Sequence, residues 1–188
     1  MVAAEPRAIK IKFGRELLRD ALGIIAAEYG GPVEYARAAV EDWPGDVAVA
    51  YVGPLPVAAA VFYKIRLAKP LCVHYYLAVD SRHRGKGLGK LLTSSVERHC
   101  AALAYAATTE EDNAAALALF RSMGYSAYRW EALDGRTRRV LLKATCGYDD
   151  DVILIKGADP RELAADEGEA DEFNSRECYG VWLRLRNL

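Results

Sequence analysis

Four cysteines and three histidines are scattered through 188 residues, and the spacing that would make them a metal centre is missing. Cys72, Cys100, Cys146 and Cys178 form no Cys-x-x-Cys pair and stand at no ligand interval from a histidine, so no metal is expected. Cys72 and Cys100 lie in apolar contexts that suit buried thiols. Cys146 and Cys178 flank an acid-rich tail, and free thiols are the expectation for all four, with a Cys146–Cys178 pair as the alternative in an oxidising setting. Long apolar runs are also missing: none approaches the roughly 18 residues of a membrane span. Glu5, Arg7, Lys10 and Lys12 occupy the place where a signal peptide carries its apolar stretch. No membrane partner and a cytoplasmic location are therefore expected. Nor is there an excess of one charge: 25 Lys+Arg stand against 26 Asp+Glu, which gives little sign of a nucleic-acid partner. Internal repeats and low-complexity stretches are absent apart from the acidic tail.

What is present suffices for one sizeable core, since 52% of the residues are hydrophobic. Residues 1–143 hold 20 basic and 15 acidic side chains and residues 144–188 hold 5 and 11, so the acidity is concentrated at the end. The run from Glu162 to Glu172 is expected to be a solvated face.

Residues 8–13 alternate like a half-buried strand, and residues 15–29 place Leu18, Ala21, Leu22, Ile25 and Tyr29 on one helical face. Gly30-Gly31-Pro32 breaks that helix, and a second short one ends near Asp42. Residues 47–52 and 57–65 predict a hairpin, and Leu71 to Val79 (LCVHYYLAV) reads as a central strand covered on both faces. A helix from Gly87 carries Leu88, Leu91, Leu92, Val96 and Cys100 on its apolar stripe, with Lys90, Glu97 and Arg98 toward water. A short strand over 103–108 follows, then a helix capped by Asp112 or Asn113 and running to Met123, with Gly124 at its end. Residues 126–132 and 138–144 are predicted strands around the turn dipeptide Asp134-Gly135. Residues 152–156 and 179–186 read as strands on either side of a Pro160-initiated segment.

Between the central strand and its helix stands Arg84-Gly85-Lys86-Gly87-Leu88-Gly89. Three alternate glycines at an uncapped helix start present backbone N–H groups without obstruction, which makes an anion cradle. Arg82, Arg84, Lys86 and Lys90 add positive charge, so a pyrophosphate is the natural guest. Spacing excludes two common loops. A Walker A loop requires glycine five residues before Gly-Lys and Ser or Thr after it, where this chain has Arg84 and Leu91. A dinucleotide fingerprint requires Gly-x-Gly-x-x-Gly, and an acidic residue about 20 positions on, whereas this chain has Gly-x-Gly-x-Gly and no acid near Ala107.

The segment resembles instead the Arg/Gln-x-x-Gly-x-Gly/Ala motif of the GNAT superfamily of N-acetyltransferases, matched by Arg84, Gly87 and Gly89. The family's second pattern is matched by Asn113, Ala116, Leu119, Phe120, Gly124 and Tyr125. Residues 112–120 look most like ribosomal-protein-alanine-type enzymes. The resemblance covers about residues 8–144. It implies an α/β (α+β) fold, with a mixed, mostly antiparallel sheet flanked by helices and splayed at its central strands. Residues 1–145 would form the acetyltransferase domain and residues 146–188 an acidic extension packing on or extending the sheet.

It further implies acetyl-CoA as co-substrate, a primary amine of a peptide or small molecule as acceptor, direct attack, and a monomer or homodimer. The backbone of Leu77, Ala78 and Val79 would hold the pantetheine arm; Arg84, Gly85, Lys86, Gly87, Leu88, Gly89 and Lys90 would hold the pyrophosphate; Asn113 and Phe120 would line the coenzyme. His74, Tyr75 and Tyr76 are candidates for the acceptor side, His74 and Tyr75 as catalytic groups, with Glu110 and Glu111 near the end of the next strand as further candidates for the base. Phe120 occupies the position where many relatives carry a proton-donating tyrosine, which leaves Tyr125 or Tyr128 to replace it. The alternative function is a module that binds acyl-CoA without turnover. On the acceptor side, the acidic run 162–172 would border the cleft in a specialised reading.

Overall fold

The computed structural model describes residues 8–30 and 33–186; the Gly31-Pro32 part of the expected helix break lies outside them. Strand β1 (Ile9–Phe13) pairs antiparallel with β2 (Asp46–Val52), β2 with β3 (Leu55–Arg66), and β3 with β4 (Pro70–Val79). Helix α3 (Leu88–Cys100) then carries the chain back over the sheet, so β5 (Ala104–Thr109) lies parallel to β4. Strand β6 (Ser126–Arg129) stands at the far edge, and β7 (Val152–Lys156) fills the gap between β5 and β6, antiparallel to both.

One face is covered by α1 (Leu18–Tyr29), α2 (Glu34–Glu41), α5 (Gly135–Thr145) and the C-terminal helices α6 (Pro160–Leu163), α7 (Ala170–Phe173) and α8 (Tyr179–Arg186), the last two joined by the π-helical turn Asn174–Cys178. Ile25, Val40, Trp43, Tyr63, Leu71, Leu141, Ile153 and Leu163 are buried there. The opposite face carries α3 and α4 (Ala114–Ser122), which bury Leu88, Leu92, Val96 and Phe120 against Ala58, Cys72 and Leu154. The mixed, mostly antiparallel architecture is the expected one.

Two expected strands are helices. Asp134 accepts from the backbone N–H of Thr137 at 3.0 Å and from its hydroxyl at 2.8 Å, so Asp134-Gly135 opens α5 instead of turning a hairpin. The residues α5 buries, Thr137, Val140, Leu141, Ala144 and Thr145, recur every three or four positions. In α8 the alternation Tyr179, Val181, Leu183, Leu185 imitates a strand, yet Val181 and Leu185, four apart, are the pair packed on the core. With β7 placed between β5 and β6, the boundary at 145/146 does not separate a finished sheet from an appendage.

The cysteines also differ from expectation. Cys72 on β4 is bonded to Cys100 at the end of α3, and Cys146 to Cys178, with Cα separations of 6.4 and 5.5 Å; no described cysteine is free. The Cys146–Cys178 bridge is the alternative that the sequence left open, whereas Cys72–Cys100, set in apolar surroundings 28 residues apart, was not expected. The acidic run 162–172 lies at the β3–β4 turn: Glu162 holds Lys69 at 2.8 Å, Glu169 accepts from the Arg66 amide at 2.9 Å, and Asp171 pairs with Lys143. Glu162, Glu169 and Asp171 thus pair with the neighbouring cations Lys69, Arg66 and Lys143.

Candidate functional site

The parallel ladder of β4 and β5 runs from Leu71–Ala104 to His74–Ala107 and stops, although β4 continues to Val79 and β5 to Thr109. Beyond His74 each strand keeps only its outer neighbour, β3 or β7, so the sheet opens between them. Opposite the opening, the β3–β4 register jumps from Val61–Tyr76 to Phe62–His74, which leaves Tyr75 as the extra residue of a bulge. The bulge breaks the two-residue alternation. Tyr75 and Tyr76 both pack toward the face of α1 and α2, while His74 and Leu77 lie on the face of α3 and α4. His74 is therefore not on the side of Tyr75 and Tyr76, where the sequence placed it.

At the end of β4, Asp80 caps the turn Ser81–His83 by accepting from the Arg82 amide at 2.9 Å, and holds the Arg82 guanidinium at 2.6 Å. The adjoining hydrogen bonds and charge pull its carboxyl well below the usual range. Gly85 and Gly87 follow with φ of 72° and 76°, where a side chain would be strained. Gly87 is the N-cap of α3 and has no side chain to satisfy the helix's first amides, so the N–H groups of Leu88, Gly89 and Lys90 point out of the helix start. A Cβ on Gly89 would meet Leu119 at 3.3 Å, so this glycine lets α3 approach α4. Leu88 is buried and offers only its amide. Arg84 is used differently from the expected phosphate ligand: its guanidinium pairs with Glu28 of α1 and donates to the Val79 carbonyl at 3.2 Å. Glu28 also accepts from the Ser81 amide at 2.9 Å, so Arg84 clamps the loop to α1. Lys86 donates to the Arg82 carbonyl at 3.2 Å, and Lys90 is exposed. Uncapped amides, left-handed glycines and an unpaired strand edge together fit a ligand with a diphosphate and an extended, amide-bearing arm.

On the α3/α4 face, Asn113 caps α4 through its side-chain oxygen, which accepts from the Ala116 amide at 3.1 Å. Phe120 is 4% exposed, its ring 4.9 Å from that of Tyr125 and 5.9 Å from that of His74. Tyr125 donates to Glu97 at 2.8 Å, and Lys156 of β7 donates to the other oxygen of Glu97 at 2.7 Å. The Tyr125 phenol has one O–H, and that is donated to Glu97. The 3.1 Å contact with His74 is then made by Nε2–H donating to the phenol oxygen, which leaves the buried Nδ1 as an unpartnered lone pair. Burial, with Lys156 assisting and Glu97 opposing, lowers the His74 pKa to about 4, so the ring is neutral at physiological pH. Burial and then Glu97 push the Tyr125 phenol far up. Glu97, read from the helical pattern as facing water, is thus the hub of a buried network; its partners lie 28 and 59 residues away, beyond local pattern.

The other face of the opening carries the expected Tyr75 and Tyr76 together with two residues that no local pattern singles out, Tyr29 and Asp150. Tyr29, at the end of α1, exposes 57% of its surface but turns its hydroxyl in to the Leu77 carbonyl at 3.2 Å. Its ring stands 5.4 Å from that of Tyr76, which is 5.0 Å from that of Tyr75. Across from these, the α5–β7 loop lies on Thr108, the first β5 residue beyond the last β4–β5 pair, and its Asp151 amide donates to the Thr109 carbonyl at 3.3 Å, which sets Asp150 at the opening. Burial first, then Glu110, Asp149 and Asp151, raises the Asp150 carboxyl. Burial chiefly, with charges that include Asp150, raises Tyr29, lifts Tyr75 well above its ordinary value and pushes Tyr76 up to about 12. Tyr128 packs on this face's core, away from Phe120. Among the described residues no group of three or more His, Cys, Asp or Glu could hold a metal, and no helix is long and apolar enough to cross a membrane.

A mixed sheet split beyond a parallel pair, with an open helix start beside the split, is the architecture of this fold. Residues 11–125 match the model of the acetyltransferase (GNAT) family, more than half the chain, and the chain belongs to that family. Among solved structures it is similar to the ribosomal-protein-S18-alanine N-acetyltransferase of Escherichia coli, at 18% identity and a TM-score of 0.56 over 79% of this chain and 91% of that one. A Bacillus subtilis acetyltransferase in complex with CoA has 15% identity and a TM-score of 0.56 over 79% and 96%. An aminoglycoside acetyltransferase from an uncultured soil metagenomic sample has 20% identity and a TM-score of 0.51 over 61% and 86%. No curated protein matches the sequence. At these identities the structures share the fold; the family match carries acetyl transfer as the general activity.

Proposed function

We propose that this chain binds acetyl-CoA and transfers its acetyl group to a primary amine by direct attack. The observation that carries the reading is the strand edge Tyr75–Val79, left without a neighbour beyond His74, ending beside an uncapped helix start. An extended arm with amide groups would complete the pairing that β5 abandons, through the backbone of Leu77, Ala78 and Val79. Its pyrophosphate would lie on the amides from Gly85 to Lys90, with Asn113 and Phe120 on the α4 side. A backbone N–H near Leu77 would polarise the thioester carbonyl as a fixed donor. The amine would enter from the opposite face, between Tyr29, Tyr75 and Tyr76.

Phe120 cannot donate a proton. Tyr125, its neighbouring phenol, keeps its proton and donates the O–H to Glu97, which makes it a poor acid for the leaving group. A thiol with a pKa of about 8.5 is a tolerable leaving group in water, so the departing thiolate would take its proton from the attacking nitrogen or solvent. Two of the structures that share the fold are a ribosomal-protein-S18-alanine N-acetyltransferase and an aminoglycoside acetyltransferase. The aromatic and acidic acceptor face here suits a cationic amine. The second reading, a binding module without turnover, draws its support from Phe120.

Thiol release from acetyl-CoA in the presence of a free-amine peptide, a lysine ester and spermidine separates the two; coenzyme binding with no release on any acceptor favours the module. Gly87→Val should leave the fold intact, because no atom lies within 4 Å of the added Cβ position, yet weaken coenzyme A binding at least about tenfold, through the strained φ and the side chain over the amides. An unchanged affinity by calorimetry would move the pyrophosphate elsewhere.

A further inference from the structure

The proposed amine transfer needs a proton acceptor, and His74 is a poor one. Its ring lies on the coenzyme face, is 4% exposed, and gives Nε2–H to Tyr125. A group serving the incoming amine must stand on the α1/α2 face, at the opening and near its apex. The apex is defined by the last pair, His74–Ala107. On the β4 side the next residue is Tyr75; on the β5 side it is Thr108.

Thr108 is where the α5–β7 loop is pinned. A Cβ on Gly147 would come within 2.6 Å of the Thr108 methyl and 3.1 Å of Trp130, so the loop can lie flat on β5 only because residue 147 is glycine. The Asp150 amide donates to the Gly147 carbonyl at 3.4 Å and the Asp151 amide to the Thr109 carbonyl at 3.3 Å, closing the loop against the end of β5. Cys146, at the loop's start, is bonded to Cys178, and Tyr148 donates to Asn174 at 2.7 Å. Backbone, disulfide and tight packing thus fix Asp150 beside Thr108.

We propose that Asp150 is the proton acceptor for the amine, and that Tyr29, Tyr75 and Tyr76 form the wall against which a cationic amine is held in front of it; this rests on the acetyltransferase reading. The bound ammonium gives one proton to the Asp150 carboxylate. The nitrogen lone pair then forms the C–N bond to the acetyl carbon, and the C–S bond breaks with its electron pair going to sulfur. A second nitrogen proton neutralises the thiolate, and Asp150 returns the first to solvent. The groups that act electrostatically on Asp150, or on which it acts, are Thr108 of β5, Tyr29 of α1, Tyr75 and Tyr76 of β4, and the carboxylates Glu110, Asp149 and Asp151. Neighbouring negative charge and burial keep its carboxyl above the ordinary range, which suits a base working toward neutrality.

The test compares the full-length chain with its Asp150→Asn variant on spermidine, a free-amine peptide and hydroxylamine, with coenzyme A binding measured alongside. The variant is expected to bind coenzyme A unchanged and to lose on the order of 100-fold or more in kcat/KM at pH 7 on the two protonated amines. Part of the loss should return as pH rises toward the amine's own pKa, and transfer to hydroxylamine, largely unprotonated at neutral pH, should be little affected. Thr108→Val should produce a smaller loss of the same kind and move the acid limb of the pH profile. An active wild type with an Asp150→Asn variant within about threefold of it, or equal losses on hydroxylamine and spermidine, overturns the assignment. A wild type that binds coenzyme A but releases no thiol with any of the three overturns the acetyltransferase reading and the assignment with it.

Discussion

A neutral imidazole sealed among Tyr105, Phe120 and Tyr125 makes stability depend on pH. In the unfolded chain His74 takes a proton near pH 6.5; in the folded chain it resists until about pH 4. Between these values the unfolded state binds more protons, so stability is full above pH 6.5 and falls as pH drops toward 4. The loss attributable to this residue is on the order of 3 kcal/mol. Urea denaturation at intervals from pH 7 to pH 4.5 should give a shallower decline for His74→Gln than for the native chain; parallel curves would show that the ring titrates normally. At this scale the sequence showed chemistry near the backbone and hid chemistry that depends on distant partners. Gly85, Gly87, Asn113 and Phe120 could be singled out because turn, cap and side-chain type are local properties. Glu97 and Asp150 could not, because one acquires its role from Tyr125 and Lys156 and the other from Thr108 and three tyrosines.

Between elements, the junction of β4, α3 and α1 shows how a loop is held ready. Glu28 takes the Ser81 amide and the Arg84 guanidinium, so α1 sets where the glycine turn begins. Removing this clamp with Glu28→Ala should raise the dissociation constant of coenzyme A about threefold to tenfold, the worth of one or two hydrogen bonds that organise the loop. The circular-dichroism spectrum should not change, and an unaltered constant would show that the turn holds itself. Most elements were readable: the central strand, α3 and α4 each combine a strong period with a recognisable end. The two misread segments shared one weakness. Asp134-Gly135 signals a hairpin turn and a helix cap equally well, and α8 alternates by accident of composition, so only packing on the core decides.

For the molecule as a whole, β7 matters most. Val152, Ile153, Leu154 and Ile155 are all buried, and at roughly 1.5–3 kcal/mol per side chain their burial is comparable to the entire stability of a typical domain. A chain ending at residue 145 would also lose Leu163, Phe173 and Val181 from the core, and the Cys146–Cys178 bridge. Such a truncation is expected to show no cooperative thermal transition; a sharp melt near that of the full chain would refute this. The strand 152–156 was legible from its β-branched run, but its place between β5 and β6 was not, because strand order depends on pairing partners far along the chain.

The position of β7 also constrains the order of assembly. A chain made from its N-terminus exposes β5 and β6 before the strand that joins them exists, because β7 is the last strand to be synthesised and belongs between two earlier ones. Until Lys156 has emerged, two unpaired backbone edges face each other across an empty slot, open to any extended segment of another nascent chain. The newborn protein is thus most exposed to mispairing between the emergence of β6 and that of β7, and a pause in synthesis between residues 129 and 152 would lengthen that interval.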